Sequence, residues 1–414
     1  MNKSKKVIAV IGGGPAGMMS AIQASKESEE VFLFEKNASL GKKLLITGKG
    51  RCNITHAQLN IRKFVKEFGK KGDFLFSPFS LFGVKETIEF FEKRGLKLKT
   101  ERGQRIFPKS DRAQDVLNVL IRYLKQSNVN LITNARVIKL QKKENKVLKV
   151  ILKDKEIIAD KYIIATGGKT YPQTGSTGNG LLWAEKLGHT ISELGPALTS
   201  LIMKDKWIKH VQGLSLKNVR ITVLQNNRKR DTRLGEALFT HFGLSGPIIL
   251  EMSSKIGDLL KKGQVKLSLD LKPGLDFSKL DSRIQRDFQK YSNKLFRNSL
   301  NDLLPQKMIP LIVKLSGINP NKKVNTINKS ERQKLVKIFK NIEMIVEKLS
   351  GFEKAIITKG GISLKEIDSK TMKSKLIDNL FFAGEILDLN GPSGGYNLQV
   401  CWTTGYLAGQ SSAL

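Results

Sequence analysis

Val7-Ile-Ala-Val-Ile-Gly-Gly-Gly-Pro-Ala-Gly17 is the stretch of sequence that decides the fold. Its first five residues form a continuous apolar run, which is typical of a buried parallel strand, and the glycine-rich turn after them opens a helix. A second apolar run, Val31–Phe34, ends at Glu35. A G-x-G-x-x-G turn in this strand–turn–helix–strand setting predicts a Rossmann-type dinucleotide-binding domain.

The glycines of this turn have different predicted roles in binding a pyrophosphate. Gly12 allows the tight turn, Gly14 lets the backbone approach the phosphates, and Gly17 allows the helix to pack closely on the strand. The free N–H groups and the dipole at the helix N-terminus favour the bound anion. Glu35, eighteen residues after Gly17, is expected to accept hydrogen bonds from a ribose hydroxyl pair, and its charge disfavours a 2′-phosphate there.

The composition describes a globular protein with an unusual charge. Its 414 residues are 40% hydrophobic and include 72 Lys and Arg against 37 Asp and Glu, which gives a formal net charge of +35. This length allows two or three domains. Two explanations of the charge remain open: a Lys-rich proteome, or a polyanionic partner such as nucleic acid. The scarcity of acidic residues favours the polyanion.

Several classes of protein are not expected from this sequence. It has no uncharged apolar stretch of about eighteen residues, so we expect no membrane span. Its two cysteines, Cys52 and Cys401, form no C-x-x-C motif, and its histidines form no H-x-x-x-H motif. We therefore expect no disulfide framework and no metal, and a reducing cytoplasm as the location. Large apolar neighbours in the sequence predict that Cys401 is a core residue.

Two later strands predict that the nucleotide-binding domain is interrupted. Lys161–Gly168 and Asn379–Glu385 each contain a short apolar run that stops at glycine, as a strand ending at a nucleotide site does. Between them, from Gly195 to about Glu353, short alternating strands mix with polar helices. Because the last strand completes the sheet, we predict one domain from residues 1–194 and 354–414, with 195–353 as an inserted substrate-side domain.

A glycine fingerprint near the start and a strand–Ala-Gly-Glu element near the end are the arrangement of FAD proteins with a glutathione-reductase-like fold. Glu385 is then expected to accept hydrogen bonds from the ribityl chain. The helix beginning near Gly395 would direct its dipole at the flavin pyrimidine carbonyl and stabilise the reduced flavin. Since no second glycine fingerprint follows a strand, NAD(P)H is expected only as a transient reductant, and the loop 175–180 is expected to line the FAD.

Four motifs resemble the signatures of one bacterial flavoprotein family. They are Thr47-Gly-Lys-Gly-Arg-Cys-Asn-Ile-Thr55, Ala165-Thr-Gly-Gly-x-x-Tyr-Pro-x-Thr-Gly-Ser-Thr-Gly-x-Gly180, Phe239-Thr-His-Phe-Gly-Leu-Ser-Gly-Pro247 and Phe382-Ala-Gly-Glu-x-x-Asp-x-x-Gly-x-x-Gly-Gly-Tyr-Asn-Leu-Gln399. The family is that of the NAD(P)/FAD-dependent oxidoreductases that include aminoacetone-oxidase-like proteins and the ribosomal RNA dihydrouridine synthase. It is similar to the fumarate-reductase-type flavoproteins, and the resemblance spans essentially the whole chain.

This resemblance implies an α/β fold: a glutathione-reductase-like, Rossmann-type FAD-binding domain interrupted by an inserted β-barrel-like domain with helices. Two of the three activities known in the family, on uridine in ribosomal RNA and on unsaturated bile-acid intermediates, reduce a conjugated carbon–carbon double bond. Together with the fingerprint, the resemblance gives a set of predicted cofactor-binding residues: Gly12, Gly14, Pro15, Ala16, Gly17, Glu35, Lys36, Lys43, Gly48, Arg51, Cys52, Asn53, Val137, Thr166, Gly167, Gly168, Gly384, Glu385, Gly394, Gly395, Tyr396 and Asn397.

Reduction of such a bond needs a proton donor beside the flavin, and three side chains are candidates. Cys52 lies in a cationic loop with Lys49 and Arg51 that the family places near the flavin. Because a nearby cation favours the thiolate, Cys52 is either an acid or a flavin contact and packing residue. His241 in the insert either reaches over the flavin or caps a turn. Tyr171 either supplies a phenol or packs in the core.

The leading hypothesis is a cytoplasmic FAD-dependent reductase that saturates a uracil ring in ribosomal RNA. Basic runs at 93–112, 227–233 and 321–340, which are otherwise solvated faces, would contact phosphates, with Trp207 or Phe242 as stacking side chains. One alternative is a small-molecule oxidase or reductase that acts on amines or conjugated enones. Another is an RNA-binding protein in which the FAD is structural.

Overall fold

The structure is a computed structural model that describes residues 6–28, 30–127 and 129–414. The chain divides into two compact units. The first consists of residues 1–196 and 352–414, and the second of residues 197–351. The sequence predicts the corresponding boundaries after residues 194 and 353. Each unit has its own hydrophobic core, so each is described separately.

Nineteen strands are found in the described residues. In chain order they are Val7–Ile11 (β1), Glu30–Phe34 (β2), Thr55–His56 (β3), Leu98–Glu101 (β4), Arg105–Pro108 (β5), Val129–Ile132 (β6), Val137–Lys143 (β7), Lys146–Leu152 (β8), Glu156–Ile157 (β9), Lys161–Ile164 (β10), Ile191–Ala197 (β11), Leu201–Met203 (β12), Ser215–Gln225 (β13), Arg228–Phe239 (β14), Gly243–Ser245 (β15), Val265–Asp270 (β16), Ile342–Leu349 (β17), Ile357–Ile362 (β18) and Leu380–Phe382 (β19).

Twelve α-helices accompany these strands in the same residues. They are Pro15–Ala24 (α1), Lys42–Ile46 (α2), Ile61–Lys66 (α3), Gly72–Leu81 (α4), Val84–Glu92 (α5), Ala113–Gln126 (α6), Asn179–Lys186 (α7), Pro247–Leu260 (α8), Phe277–Lys290 (α9), Ile309–Ser316 (α10), Lys329–Lys340 (α11) and Tyr396–Ala413 (α12).

The first unit is built on a five-stranded sheet in the order β19-β10-β1-β2-β6, in which all four strand pairs are parallel. Val10 at its centre lies opposite Ile163 on one side and Leu33 on the other. All three are fully buried, as expected for the continuous apolar runs of a parallel sheet covered on both faces. The predicted α/β fold with a Rossmann-type sheet, completed by β10 and β19, is therefore confirmed.

Helix α12 lies directly against α1, and two glycines make this possible. A Cβ atom at Gly405 would lie 2.5 Å from the carbonyl oxygen of Ala16, and one at Gly409 would lie 2.2 Å from that of Ser20. Since the two helices are separated there only by backbone atoms, a side chain at either position would push them apart. The last helix of the chain thus covers the helix of the glycine fingerprint.

Gln399 in α12 is fully buried and joins three parts of the first unit by hydrogen bonds. Its Oε1 accepts from the Thr55 hydroxyl at 2.6 Å. Its Nε2 donates to the carbonyl oxygen of Gly83 at 3.1 Å and to the hydroxyl oxygens of Thr87 and Thr403 at 2.8 and 3.0 Å. A buried amide is stable only with such partners, so Gln399 fixes α12 relative to β3 and α5.

The second unit contains a closed six-stranded barrel in the order β12-β15-β14-β13-β16-β17, with antiparallel pairs around it. Ile221, Leu267 and Met344 are fully buried in its core. Helices α8 to α11 belong to the same unit. A β-barrel-like insert with helices, which the resemblance implied, is therefore confirmed.

We expect the substitution Gly409→Ala to destabilise the protein by about 1–3 kcal/mol, because the new methyl group meets the Ser20 carbonyl oxygen. At an exposed position inside a helix, the same substitution would instead stabilise the protein by about 1 kcal/mol. Urea unfolding followed by circular dichroism measures the difference. The control is Gln410→Ala at the exposed neighbouring position, and a stabilised Gly409→Ala protein would contradict the described contact.

Candidate active site

A cavity lies where four parallel strands of the first unit end. It is lined by Ile11 at the end of β1, Glu35 after β2, Ala165 after β10 and Ala383 after β19. The carboxyl edge of an open parallel sheet is where such folds bind ligands. The loop 174–179 also borders the cavity through Thr174, Gly175, Ser176, Thr177 and Asn179. The sequence predicts that the loop 175–180 lines the FAD.

Three glycines of the fingerprint are required for different reasons. Gly12 has a φ of +112°, and a Cβ atom there would lie 2.5 Å from the Ala165 carbonyl oxygen. A Cβ atom at Gly17 would lie 1.8 Å from the carbonyl oxygen of Gly12. At Gly14, which lines the cavity, a Cβ atom meets no protein atom within 4 Å. The absent side chain of Gly14 therefore leaves space for a ligand.

Helix α1 directs an uncapped N-terminus to this cavity. Its N-cap residue, Gly14, offers no side-chain hydrogen bond, and Pro15 occupies the first turn. Gly14, Pro15 and Ala16 all line the cavity. The first N–H groups of a helix lack intrahelical acceptors, and together with the helix dipole they favour an anion such as a phosphate.

Glu35 is held in position by two neighbours. Its Oε2 accepts from the backbone N–H of Gly13 at 2.9 Å, and its Oε1 accepts from the backbone and side-chain amides of Asn37 at 2.8 and 2.7 Å. Only 8% of the residue is exposed. Because Oε2 accepts one bond and has two lone pairs, it retains an acceptor site for a ligand hydroxyl.

Glu385 and Lys43 form an ion pair at the other side of the cavity. The Lys43 Nζ atom lies 2.7 Å from Glu385 Oε2 and donates to the Thr170 hydroxyl at 2.7 Å. Glu385 Oε1 accepts from the Thr358 N–H at 2.9 Å. Both charged residues line the cavity. Lys36 also lines it and donates to the Thr177 hydroxyl at 2.9 Å, and burial lowers the pKa of Lys36.

An orphaned polar atom indicates that a ligand belongs here. Thr166 Oγ1 is buried, and its residue lines the cavity, yet this atom has no hydrogen-bond partner among the described residues. Buried hydroxyls are normally paired. With the space at Gly14, the helix N-terminus and the carboxylate of Glu35, this arrangement fits a dinucleotide cofactor: a pyrophosphate at the turn and a ribose at Glu35.

The model of one protein family, described as the HI0933-like protein Rossmann domain, matches residues 6–411 of this chain. The chain belongs to this family. Its relatives and structural neighbours are FAD-dependent oxidoreductases, and so is this HI0933-like protein. The family expected from the sequence motifs is confirmed, and the cofactor that the cavity fits is FAD.

Two relatives match this HI0933-like chain along nearly their full length. The 3-dehydro-bile acid delta(4,6)-reductase of Clostridium scindens is 32% identical over 98% of this chain and 98% of that protein. The ribosomal RNA dihydrouridine synthase of Escherichia coli is 26% identical over 97% of this chain and 96% of that protein.

Two solved structures resemble the fold at low identity. A flavocytochrome c3 fumarate reductase has a TM-score of 0.53 at 17% identity and covers 100% of this chain and 79% of that chain. The 3-ketosteroid-delta4-(5alpha)-dehydrogenase of Rhodococcus jostii RHA1 has a TM-score of 0.52 at 16% identity, with 99% and 97% covered. At these identities the likeness concerns the fold.

The predicted cofactor residues of the HI0933-like chain fall into two groups. Those that line the cavity are Gly12, Gly14, Pro15, Ala16, Glu35, Lys36, Lys43, Val137, Thr166, Gly167 and Glu385. Those outside its lining are Gly17, Gly48, Arg51, Cys52, Asn53, Gly168, Gly384, Gly394, Gly395, Tyr396 and Asn397. In this second group, Gly17 packs on the turn, and Gly168 packs on Thr358, whose Oγ1 lies 2.2 Å from the position of an added Cβ.

Part of the second group meets at the start of α12. Gly395, the N-cap of this helix, packs on Thr55, since an added Cβ would lie 2.4 Å from the carbonyl carbon of that residue. Tyr396 packs on His56 with ring centroids 4.6 Å apart. Asn53 Oδ1 and His56 Nδ1 are buried without a hydrogen-bond partner in the described part of the chain. The motif 47–55 and the helix N-terminus are thus brought together.

The expected effect of nearby cations on Cys52 is wrong. Cys52 is fully buried, and burial raises the pKa of its thiol to about 12, against a smaller opposite effect of the Thr47 hydroxyl. The Arg51 guanidinium is paired with Glu101 at 2.8 Å and with Asp111 at 3.1 Å, so nearby carboxylates balance its charge. Of the two roles considered for Cys52, the structure favours packing over proton donation.

Tyr171 and His241 lie outside the lining of the cavity. Tyr171 has a φ of +51° and precedes a short 3₁₀ turn, Pro172–Thr174, and its side chain is half-buried. His241 belongs to the second unit, where it is exposed and packs edge-on against Phe242 with ring centroids 4.8 Å apart.

Sequence reasoning missed other lining residues. Cys401 was predicted to be core, and it does pack, half-buried, against the core of the first unit, but it also lines the cavity. Asn37, which binds Glu35, and Trp183 also line the cavity. Within the described ranges, no three His, Cys, Asp or Glu side chains are grouped to hold a metal ion.

We expect Gly14→Val to fold but to lose most of its FAD, because the new side chain occupies the space for the pyrophosphate. The φ of Gly14 is −81°, which valine adopts without strain. Visible absorbance of the purified protein measures the bound flavin, and circular dichroism measures the fold. Gly195→Val is the control, since Gly195 also has open space and lies outside the cavity lining. A Gly14→Val protein that remains yellow would refute the assigned position.

Cys52 is expected to resist alkylation by iodoacetamide across about pH 7 to 9, since an ordinary cysteine reacts faster as pH rises through its pKa near 8.5. A thiol with a pKa of about 12 stays protonated in this range, and burial blocks access to it. Peptide mass spectrometry locates the label, with urea-unfolded protein as the reference. Rapid labelling of Cys52 in the folded protein at pH 7 would contradict this environment.

Proposed function

We propose that this protein is an FAD-dependent reductase of a conjugated carbon–carbon double bond and that its substrate is a uracil ring in ribosomal RNA. The net charge of +35 carries the choice of substrate, because a basic protein gains affinity for a polyanion through counterion release. The E. coli relative is named for dihydrouridine synthesis in ribosomal RNA. The C. scindens relative is named as a delta(4,6)-reductase of a 3-dehydro-bile acid.

When bound and reduced, FAD would supply the hydride in such a reduction, and NAD(P)H is the proposed donor that would reduce the oxidised flavin again. In the proposal, Gly12 to Ala16 and the N-terminus of α1 hold the pyrophosphate. Glu35 accepts from the ribose hydroxyls, and Glu385, fixed by Lys43, accepts from the ribityl chain. The protein must also deliver a proton to the second carbon of the double bond. The high pKa of Cys52 makes its thiol a weak donor.

The charge left for RNA is smaller than the basic runs suggest. In the second unit, Lys322 pairs with Glu331 and Lys340 pairs with Asp270, both at 2.7 Å. Arg332 pairs with Asp281, also at 2.7 Å. These three cations of the run 321–340 stabilise their own fold. Arg228, Lys229 and Arg230 at the start of β14 are exposed, and they are available to phosphates in the proposal.

A small-molecule reductase is the second candidate function. One observation favours it: the relative named for a bile-acid substrate is 32% identical, whereas the relative named for ribosomal RNA is 26% identical. This candidate predicts that conjugated enones reoxidise the reduced flavin at the same rate with and without added RNA.

Deletion of the gene is expected to lower the dihydrouridine content of ribosomal RNA, because in the proposal this protein is the enzyme that forms dihydrouridine there. Nucleoside mass spectrometry of purified ribosomal RNA measures this content. Complementation with the wild-type gene should restore it, whereas the Gly14→Val gene, which encodes a protein without the pyrophosphate space, should not. An unchanged dihydrouridine content in the deletion strain would reject the RNA substrate and leave the small-molecule candidate.

A further inference from the structure

A second depression of the first unit is lined by basic side chains. It lies between α6 and the two segments at residues 94–97 and 109–110. Its cations are Arg94, Lys97, Lys109, Arg122 and Lys125, and we call it the basic groove. Four of these five residues are exposed, and Arg94 is half-buried. None of the five lines the candidate active site.

The groove is distinguished from its surroundings by unpaired charge. Among the described residues, none of its five cations forms an ion pair with a carboxylate, whereas nearby Lys99 lies 2.6 Å from Asp111. The groove contains one acid, Asp115, which is bound by Arg112 at 2.9 Å. The structure therefore separates the basic run 93–112 into cations that stabilise the fold and cations that face the groove.

Arg94 is fixed before any ligand arrives. Its guanidinium lies 3.9 Å from the ring centroids of both Phe90 and Tyr123, and its Nη1 donates to the Phe90 carbonyl oxygen at 2.7 Å. The Nε atom is buried and has no partner in the residues that the structure describes. A guanidinium held in this way loses little side-chain entropy on binding an anion.

The other four cations form two pairs that border the groove. Lys97 and Lys109 lie at the open end of the β4–β5 hairpin, where the Lys109 N–H donates to the Lys97 carbonyl oxygen at 2.8 Å. Arg122 and Lys125 are three residues apart on α6, so they share one face of this helix. Cations distributed along two borders match a ligand with a repeated negative charge better than one with a single charge.

We propose that the basic groove binds the phosphodiester backbone of the RNA substrate. This inference rests on the proposed function, and it assigns a binding site on the FAD-binding unit that is separate from the flavin cavity. The groove contacts phosphates and carries no base recognition of its own, so it positions the RNA without selecting its sequence.

The test replaces four groove cations by Glu: Lys97, Lys109, Arg122 and Lys125. The control replaces four exposed lysines of the β7–β8 region in the same unit, Lys139, Lys143, Lys146 and Lys153. Both variants change the net charge by the same amount, so a difference in Kd between them reports where the replaced cations lie. The probe is a ribosomal RNA fragment transcribed in vitro, and its Kd is measured by fluorescence anisotropy over a range of KCl concentrations.

The groove variant is expected to bind the RNA at least about tenfold more weakly at moderate salt. The slope of log K against log salt should become less steep by about 3, since each phosphate contact to a single strand contributes about 0.7 to its magnitude. The control should change the slope by less than about 1. Flavin absorbance and thermal melting verify that each variant is folded. The corresponding fourfold Gln variant is the milder substitute, with the same direction of change, if the Glu variant does not fold.

Equal losses in the two Glu variants would overturn the groove and leave the proposed function standing, because the charge would then act diffusely. Wild-type protein that does not bind the RNA, or binds it without salt dependence, would reject the groove and the RNA substrate together. A further variant, Arg94→Lys, keeps the charge but removes the planar group held by Phe90 and Tyr123. It should weaken binding while leaving the salt slope within about 1 of the wild-type value, and an unchanged Kd would show that Arg94 does not contact the RNA.

Discussion

The FAD-binding unit depends on one close approach of backbone to backbone. Gly17 at the start of α1 packs against the carbonyl oxygen of Gly12, and Gly12 packs against Ala165 at the end of β10. No side chain separates β1, α1 and β10 at this point. The N-terminus of α1 is therefore held beside the carboxyl ends of the parallel strands, where the cavity lies. The contacts of α12 with α1, through Gly405 and Gly409, are likewise close approaches of one backbone to another.

The cations of this protein divide into those that form ion pairs within the fold and those that are available to a ligand. Lys43 with Glu385 fixes a cavity residue, and Arg51 with Glu101 anchors the loop that contains Cys52. A formal charge of +35 does not describe any of these local situations. What matters for a polyanion is where cations lack an internal partner, because only those exchange counterions for phosphates. Sequence-based counts of basic residues cannot make this distinction, since the partners of Arg51 and Lys43 are distant in the sequence.

The sequence predicted those features that depend on local chemistry. The glycine turn, the strands that precede Glu35 and Glu385 and the interrupted domain follow from apolar runs and glycine spacing. A β-barrel-like insert is implied by the family resemblance, whereas its six strands are seen only in the structure. The prediction that nearby cations favour a thiolate at Cys52 was wrong. Tertiary packing buries this residue, and the effect of burial on the thiol outweighs the charge of adjacent residues. Cys401 packs against the core, as its apolar neighbours predict, but its place in the cavity lining depends on how α12 packs and could not be predicted from those neighbours. The orphaned Thr166 hydroxyl and the basic groove need coordinates to be recognised.

The position of β19 and α12 in the chain has a consequence for biosynthesis. Both elements come from residues 380–413, yet β19 pairs with β10 and α12 covers α1. During translation, the strands and helices of residues 197–351 are complete before these elements emerge from the ribosome. The strands of the barrel and the glycine turn are therefore both synthesised before the strand and the helix that complete the FAD-binding unit. The five-stranded sheet that carries the nucleotide site is consequently complete only after residues 380–382 have been synthesised.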